Sequence, residues 1–439
     1  MPVKKSLSAK ELSQRRICVA LIVTVLLACG AHAIAKFWIG DDTSDFVHFY
    51  RAASAMSKGE DIYMAAQGHY IYPPLLAFIL QPLTILSERM AATVWTAING
   101  VLILVAIFIA SKEAAARWPR IPSELNIILP WIIAAIATCL AADKIHGIFT
   151  LGQTDCLMLL GFACVLRWME RKPLLAGLTV GASANIKYLT LICVPYFLVK
   201  RNYKAAIAAI VAFVFFLVLP VPEIGFEKLG RYLASSVGGL GRLMFDTQQS
   251  VSIFQVTWYR SISLTSGIYR LTRSSGLPDF AAGILVLVLF SGVMTAIILV
   301  GRRQGVALFQ PRRTGVGLLS DPVTHIEWAV VIFLSVAFSP QSTARHMVLL
   351  SMIYTVAIAI FLAQYATTPR ILLGGALALV VSALSVPSWI IDIAHQKGKW
   401  RAIGGASWCA LVLILVVVWT GTRTIAEMNQ KKGAADLRR

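Results

Sequence analysis

The sequence predicts an all-α integral membrane protein, a polytopic bundle of about twelve crossings with juxtamembrane helices at its outer face. Three observations predict it. Of 439 residues, 58% are hydrophobic and the mean hydropathy is +0.74, above the roughly 45–50% apolar content of soluble domains. The charged residues, 14% of the chain, gather in short clusters between apolar runs. Those runs approach the ~20 residues that a helix needs to cross a hydrocarbon core of about 30 Å. The short apolar alternation of a membrane barrel is absent, so the crossings are helices. Together these features exclude a soluble or secreted enzyme.

The net charge of +19 would suggest nucleic acid in a soluble protein. Here the cations cap helix ends and meet anionic lipid headgroups, so no nucleic-acid partner is expected. The seven cysteines lie in or beside apolar runs without CxxC spacing and form neither a disulfide framework nor a metal site.

Each element follows in order. Lys4, Lys5, Lys10, Arg15 and Arg16 precede the first apolar run, Ile17 to Ala35, which is too long for a signal peptide and reads as a retained anchor. By the positive-inside rule the N-terminus is cytoplasmic and this helix crosses outward. The first outer loop, 37–72, carries Asp41, Asp42, Asp45, Glu60 and Asp61, with an amphipathic helix from Phe46 to Met56 ending near Gly59. Tyr72–Ala110 is either two crossings or an interfacial helix with Pro73, Pro74 and Pro82 followed by one crossing. One crossing places the Lys112/Arg117/Arg120, Arg167/Arg171/Lys172 and Lys200/Arg201/Lys204 clusters inside. It also requires Leu174–Leu198 to be two short helices turning near Asn185-Ile186-Lys187. We adopt that arrangement.

Ala205–Pro220 then crosses outward, and a long outer loop fills 221–278. Phe280–Val300 returns, Ile326–Phe338 goes out and Met347–Leu362 comes back. Ile371–Val386 and Ser407–Trp419 form a last pair, leaving a cytoplasmic tail over 423–439, so that both termini lie inside a bacterial inner membrane. The loop with Lys397, Lys399 and Arg401 breaks the charge rule by falling outside. Asp45, Tyr72, Gln153, Lys187, Gln249, Arg345 and His346 all come out on the outer side.

Asp45 stands at the mouth of an amphipathic helix at the membrane surface. A partly desolvated carboxylate there is suited to act as a base toward a hydroxyl; as an alternative, Ser44 or Asp45 caps the helix. Gln153 and Asp155 start a helix, and either contact sugar hydroxyls or cap it. Lys187, between two short apolar helices, is a cation for a phosphate or a snorkelling side chain. Arg345 and His346 share that phosphate or anchor the interface. No GxxxxGK[ST] loop, HExxH, His/Cys cluster or GxSxG elbow occurs, which removes a nucleotide engine, zinc hydrolysis and a serine hydrolase.

The string Asp45-Phe46-x-x-Phe49-Tyr50-x-Ala52-Ala53, then Gly59, Tyr63 and Tyr70-Ile71-Tyr72-Pro73-Pro74-Leu75, resembles the family 87 glycosyltransferases of the GT-C superfamily. The likeness continues through Leu151-Gly152-Gln153, Ala176-Gly177-Leu178 to Lys187, Gln249-Ser250, and Ser339-Pro340-Gln341-Ser342 to His346. The family includes polyprenyl-phosphate-mannose-dependent α-1,2-mannosyltransferases and related arabinofuranosyltransferases. The resemblance implies a GT-C-type bundle and an inverting transfer of mannose or another hexose or pentose from a polyprenyl-phosphate donor to a lipid or glycan acceptor. That transfer occurs at the outer face without a cofactor and usually without a metal; a divalent ion held loosely by Asp41, Asp42 and Asp45 is the alternative. The resemblance makes Asp45 the general base, Lys187, Arg345 and His346 candidates for the departing phosphate, and Gln153, Asp155, Gln249 and Tyr72 further substrate contacts. Three departures bear on the sugar and acceptor: Thr154-Asp155 where many relatives have x-Asn, Thr343-Ala344-Arg345-His346 in place of a Trp-Asp-His string, and Tyr188 in place of a proline. Two other functions fit the topology in outline. One is a transporter or flippase of lipid-linked sugars; the other is an O-antigen-ligase-like transferase using the arginines of the long outer loop on a diphosphate donor.

Overall fold

The computed structural model describes residues 8–40, 44–118, 127–245, 255–311, 321–364, 369–386 and 397–436, and among them every regular element is helical. Five helices among the described residues are long and apolar enough to cross a membrane: Ala9–Ile39, Glu88–Arg117, Asp279–Arg303, His346–Ala363 and Gly405–Lys431. Two bent pairs, Leu129–Leu140 with Ala142–Leu151 (64°) and Tyr203–Val218 with Val221–Ala234 (99°), bring the number up to seven where each pair is one broken span. Shorter apolar helices of 10–17 residues among the described residues are Pro74–Ile85, Pro173–Ala184, Tyr188–Val199, Pro322–Ala337 and Leu372–Leu384. The protein is thus a polytopic helical membrane protein.

The first helix, α1 (Ala9–Ile39), starts in a reciprocal cap between Ser8 and Glu11 and ends at Gly40, whose φ of 89° turns the chain out of the helix. Next come α2 (Phe46–Ser57), the short α3 (Ile62–Ala65), and α4 (Pro74–Leu80) with a 3-10 extension to Ile85. Pro73 and Pro74 suit a helix start, because the first turn leaves amides unpaired anyway. One continuous helix, α5 (Glu88–Arg117), follows. The Tyr72–Ala110 stretch therefore has the form of the adopted alternative, a short proline-led helix and then one long helix.

After α6 (Leu129–Leu140) and α7 (Ala142–Leu151) come α8 (Asp155–Trp168) and α9 (Pro173–Ala184). A turn at Asn185–Lys187 leads from α9 into a 3-10 segment continued by α10 (Cys193–Val199), so that α9 and this second piece are the two short helices expected over Leu174–Leu198. Beyond lie α11 (Tyr203–Val218) and α12 (Val221–Phe245), the latter broken at Gly225 where φ is 77°. The long loop is thus helical in part, since α13 (Leu264–Ser274) also lies within it. The chain closes with α14 (Asp279–Arg303), α15 (Pro322–Ala337), α16 (Leu350–Gln364), α17 (Pro369–Leu384), α18 (Lys397–Ala402) and α19 (Gly405–Asp436). The last helix runs on from the apolar stretch into the basic tail.

Two groups of contacts position the site. α1 packs on α5, α6 and α7, while α5 packs on α8, and α16 reaches both α5 and α6. α9 packs on α11 through small residues. A Cβ on Gly177 would overlap the Ala205 carbonyl oxygen, and one on Gly181 would overlap the Phe213 nitrogen. Where lipid offers no hydrophobic drive between helices, such close backbone approach supplies the attraction. The core helices α15 and α16 are nearly all buried, whereas α14 turns Phe280, Leu287 and Val288 outward as a lipid-facing helix does.

Candidate active site

The connection from α7 to α8 is the floor of the site. Gly152 ends α7 with φ 61°, and a Cβ there would meet the Phe46 Cβ at 2.5 Å, so only glycine lets α2 settle on this turn. Ser44 and Asp45 lie directly above it. The Asp45 amide donates to the Leu151 carbonyl (2.9 Å), and the Ser44 hydroxyl donates to the same oxygen (3.2 Å). From α5, Trp95 Nε1 donates to the Gly152 carbonyl (2.9 Å) and Asn99 Nδ2 to the Gln153 carbonyl (3.1 Å). Sequence reasoning passed over both. The available signal was a polar Asn99 inside an otherwise apolar crossing.

With its backbone fixed, Asp45 is free of capping duty. It occupies the N-cap of α2, yet its side chain makes no cap hydrogen bond, and Ser44 Oγ accepts the Phe46 amide instead (3.2 Å). Asp45 Oδ2 receives Gln153 Nε2 and Arg345 Nη1, the latter at 2.5 Å. No hydrogen bond reaches Oδ1 from the described residues, and the side chain is 36% exposed. One carboxylate oxygen is thus held and the other is presented.

A second cluster adjoins the first. Lys187, in the turn after α9, donates to Asp155 Oδ2 at 2.7 Å and to Gln153 Oε1 at 3.4 Å. Its ammonium also stands 5.9 Å from the centroid of the Tyr72 ring. His346 Nε2 faces Asp155 Oδ1 at 3.5 Å and the Lys187 ammonium at 3.4 Å. His346 Nδ1 accepts the Thr343 amide at 2.9 Å. A ring nitrogen that accepts a backbone N–H carries no proton, so the imidazole is neutral with its proton on Nε2. His346 is therefore a neutral ring that turns its Nε2–H toward Asp155 beside the Lys187 ammonium, not a second cation.

Gln153 and Asp155 are both fully buried. Gln153 is engaged by Asp45 and Lys187 and Asp155 Oδ2 by Lys187, while Asp155 Oδ1 faces His346 Nε2 without a hydrogen bond; the sequence suggested contacts to sugar hydroxyls instead. Gln153 bridges the two clusters, with its amide nitrogen on Asp45 and its amide oxygen on Lys187. Of the predicted site residues, Asp45, Tyr72, Gln153, Asp155, Lys187, Arg345 and His346 converge here from separate stretches of chain. Gln249 lies outside the described residues, as do Asp41 and Asp42, which were candidates for a loosely held divalent ion beside Asp45.

Two further features border the site. His48, one turn along α2 from Asp45, stacks on His69 with ring centroids 4.6 Å apart. Burial, chiefly, pushes its pKa below the usual imidazole value; His69 and Arg51 act in the same direction, against the pull of Asp45. On another flank an apolar groove of about 520 Å³ is lined by Tyr188, Leu189, Ile192, Val286, Phe290 and Phe338, among others. It begins one residue beyond Lys187, where Tyr188 and Ser339 share a hydrogen bond of 2.9 Å.

The arginines of the long loop have structural partners. Arg270 donates to the carbonyls of Trp258, Ser261, Arg401 and Ala402, and Arg273 makes a two-armed pair with Asp279 at 2.8 Å on each arm. Two of the cations that the ligase-like alternative needs are thus already engaged.

Residues 70–320, more than half of the chain, match glycosyltransferase family 87. An alpha-(1->3)-arabinofuranosyltransferase of Mycobacterium tuberculosis is 26% identical over 182 residues, covering 39% of this chain and 40% of the relative. A polyprenol-phosphate-mannose-dependent alpha-(1-2)-phosphatidylinositol mannoside mannosyltransferase of the same organism is 27% identical over 150 residues, 33% of this chain and 34% of the relative. The aligned regions thus span well under half the length of these relatives. No solved structure matches the chain. Gln153, Asp155 and Lys187 fall inside the family match, while Asp45, Arg345 and His346 lie outside it.

Proposed function

The chain belongs to glycosyltransferase family 87, and from that membership we propose that it transfers a sugar, mannose or another hexose or pentose, from a polyprenyl-phosphate donor to a lipid or glycan acceptor at the outer face of a bacterial inner membrane. The observation that carries this reading is the Asp45 carboxylate, with Oδ2 held by Gln153 and Arg345 and Oδ1 open. A general base needs one oxygen fixed in place and the other within reach of the acceptor hydroxyl.

In the proposed reaction Asp45 Oδ1 takes the proton as the acceptor oxygen bonds to the anomeric carbon. The bond from that carbon to the phosphate oxygen breaks, and its electron pair stays on the departing polyprenyl phosphate. Attack opposite the leaving group inverts the anomeric centre. Lys187 supplies positive charge to the phosphate, and the groove starting at Tyr188 suits the first units of an apolar chain. The donor carries its own activated bond, so no nucleotide or other cofactor takes part in the step. Family membership displaces the transporter reading.

The test is transfer from radiolabelled polyprenyl-phosphate sugars to membrane acceptors by the purified protein, beside Asp45→Asn. A loss of about a thousandfold or more is expected for the variant. Wild-type rates in Asp45→Asn would remove Asp45 from the role of base, and a donor left unconsumed by the wild type would remove the proposed donor class.

A further inference from the structure

The same guanidinium is needed in two places. Arg345 holds the base, with Nη1 on Asp45 Oδ2 at 2.5 Å, yet its neighbour in the chain, His346, faces the acid and cation that flank the proposed phosphate position. Asp155 and Tyr72 lie within its electrostatic range, and its backbone immediately precedes His346, whose Nε2 is 3.4 Å from the Lys187 ammonium. Arg345 Nε is buried without a partner. Such an unsatisfied donor is costly unless it gains an acceptor at some stage of the cycle.

Charge accounting shows when that happens. The free site holds Asp45 and Asp155 as acids and Lys187 and Arg345 as cations, with His346 neutral, so it is balanced. The donor is a phosphodiester with one negative charge, and the product is a phosphomonoester that approaches two. As the new glycosidic bond forms, the acceptor proton passes to Asp45, which becomes a neutral carboxylic acid, while the second charge develops on the departing phosphate. Negative charge thus moves from Asp45 to the phosphate during the step. An arginine between them loses its hold on the first as it gains attraction to the second.

We propose that Arg345 is a catalytic residue that passes from the base to the leaving group: it positions Asp45 before transfer and binds the polyprenyl phosphate dianion once Asp45 carries the proton. This rests on the donor and base assigned above. It places Arg345 in sequential contact with both reacting partners, and Lys187, tied to Asp155 throughout, as the fixed cation.

The experiment measures binding of a polyprenyl monophosphate to the full-length protein in nanodiscs, for wild type, Asp45→Asn, Arg345→Ala, Arg345→Lys and the double variants Asp45→Asn/Arg345→Ala and Asp45→Asn/Arg345→Lys. The neutral amide in Asp45→Asn imitates the protonated base. Asp45→Asn is expected to bind about tenfold more tightly than wild type, because Arg345 is released to the phosphate. In the Arg345→Ala background the same change should tighten binding by about twofold or less, and Arg345→Lys should keep an intermediate part of the effect. Equal tightening in both backgrounds would mean simple repulsion between Asp45 and the phosphate, and would overturn the proposal. No tightening at all would overturn it too. A wild type that binds no polyprenyl phosphate sinks the donor reading and this inference with it, whereas binding without coupling sinks only the inference. Thermal unfolding of each variant checks that it is folded.

Discussion

Asp155 illustrates how much rests on single residues here. It has no exposed surface, and its two oxygens face Lys187 and His346. Removing one partner of a buried pair strands the other charge, a cost of about 3–5 kcal/mol, whereas replacing both by apolar groups is often close to neutral. Asp155→Ala should therefore lower the unfolding midpoint in detergent sharply. Asp155→Leu combined with Lys187→Met should recover most of that stability while transfer stays lost. Recovery of activity in the double variant would show that Lys187 does not serve the donor. Gly152→Ala makes a second case: its Cβ would collide with Phe46 at 2.5 Å in a left-handed backbone. Loss of transfer is expected, with Asp45 displaced from Gln153, and a fully active Gly152→Ala would contradict that seating of α2. Asp45 and Lys187 were legible as candidates because their residue types are costly in an apolar setting. The engagement of Gln153 was not legible, since its partners Asp45 and Lys187 lie 108 and 34 positions away, and neither was the neutral tautomer of His346, which the folded turn at Thr343 sets.

At the scale of elements, the α9–α11 contact carries Lys187 into place. Gly177 and Gly181 are four residues apart and so share a helix face, and the facing helix offers Ala205, Ala208, Ala209 and Ala212. Gly177→Leu or Gly181→Leu must separate the backbones, an overpacking cost of about 1–3 kcal/mol or more. Both variants should unfold at lower temperature and lose transfer as the end of α9 shifts. Leu178→Ala, on the 43% exposed lipid side of the same helix, should do neither; if it proved as damaging, the glycine face would not be the packing face. Most elements were legible from hydropathy and caps: α1, α5, α14 and the paired short helices over 174–198 all emerged from run length, prolines and basic clusters. The helices inside the long loop were less so. The sharp turn into α12 and the Ser263-capped α13 are short amphipathic pieces whose stability comes from docking, which local sequence registers weakly.

For the whole molecule, the loop that defied the charge rule has a structural partner. Arg270 of α13 grips the carbonyls of Arg401 and Ala402, and Gly404 packs against the Ser263 carbonyl at a spacing that leaves no room for a Cβ. The segment around α18 therefore lies on the same side of the membrane as α13, whatever its charge. An orientation test follows. Cysteines placed at Lys58, Lys112 and Lys399, all exposed, are to be probed with a membrane-impermeant thiol reagent after replacement of the native cysteines. Lys58→Cys and Lys399→Cys should react in intact cells, and Lys112→Cys only after permeabilisation. Labelling of all three from one side would refute the single crossing by α5.

The sequence by itself determined the solvent of this protein, its helical class, the order of its main segments and the residue types that gather as candidates for a site. Those follow from local quantities: run length against bilayer thickness, charge beside apolar stretches, and proline and glycine at element ends. Only the tertiary structure decided how the polar residues share their hydrogen bonds. Gln153 and Asp155 became the frame, Asp45 kept one oxygen open, and Arg345 was placed on the Asp45 carboxylate. Each side chain has several possible partners in the sequence, and which of them it meets is set by the packing of α2, α8, α9 and α16, brought together from distant parts of the chain.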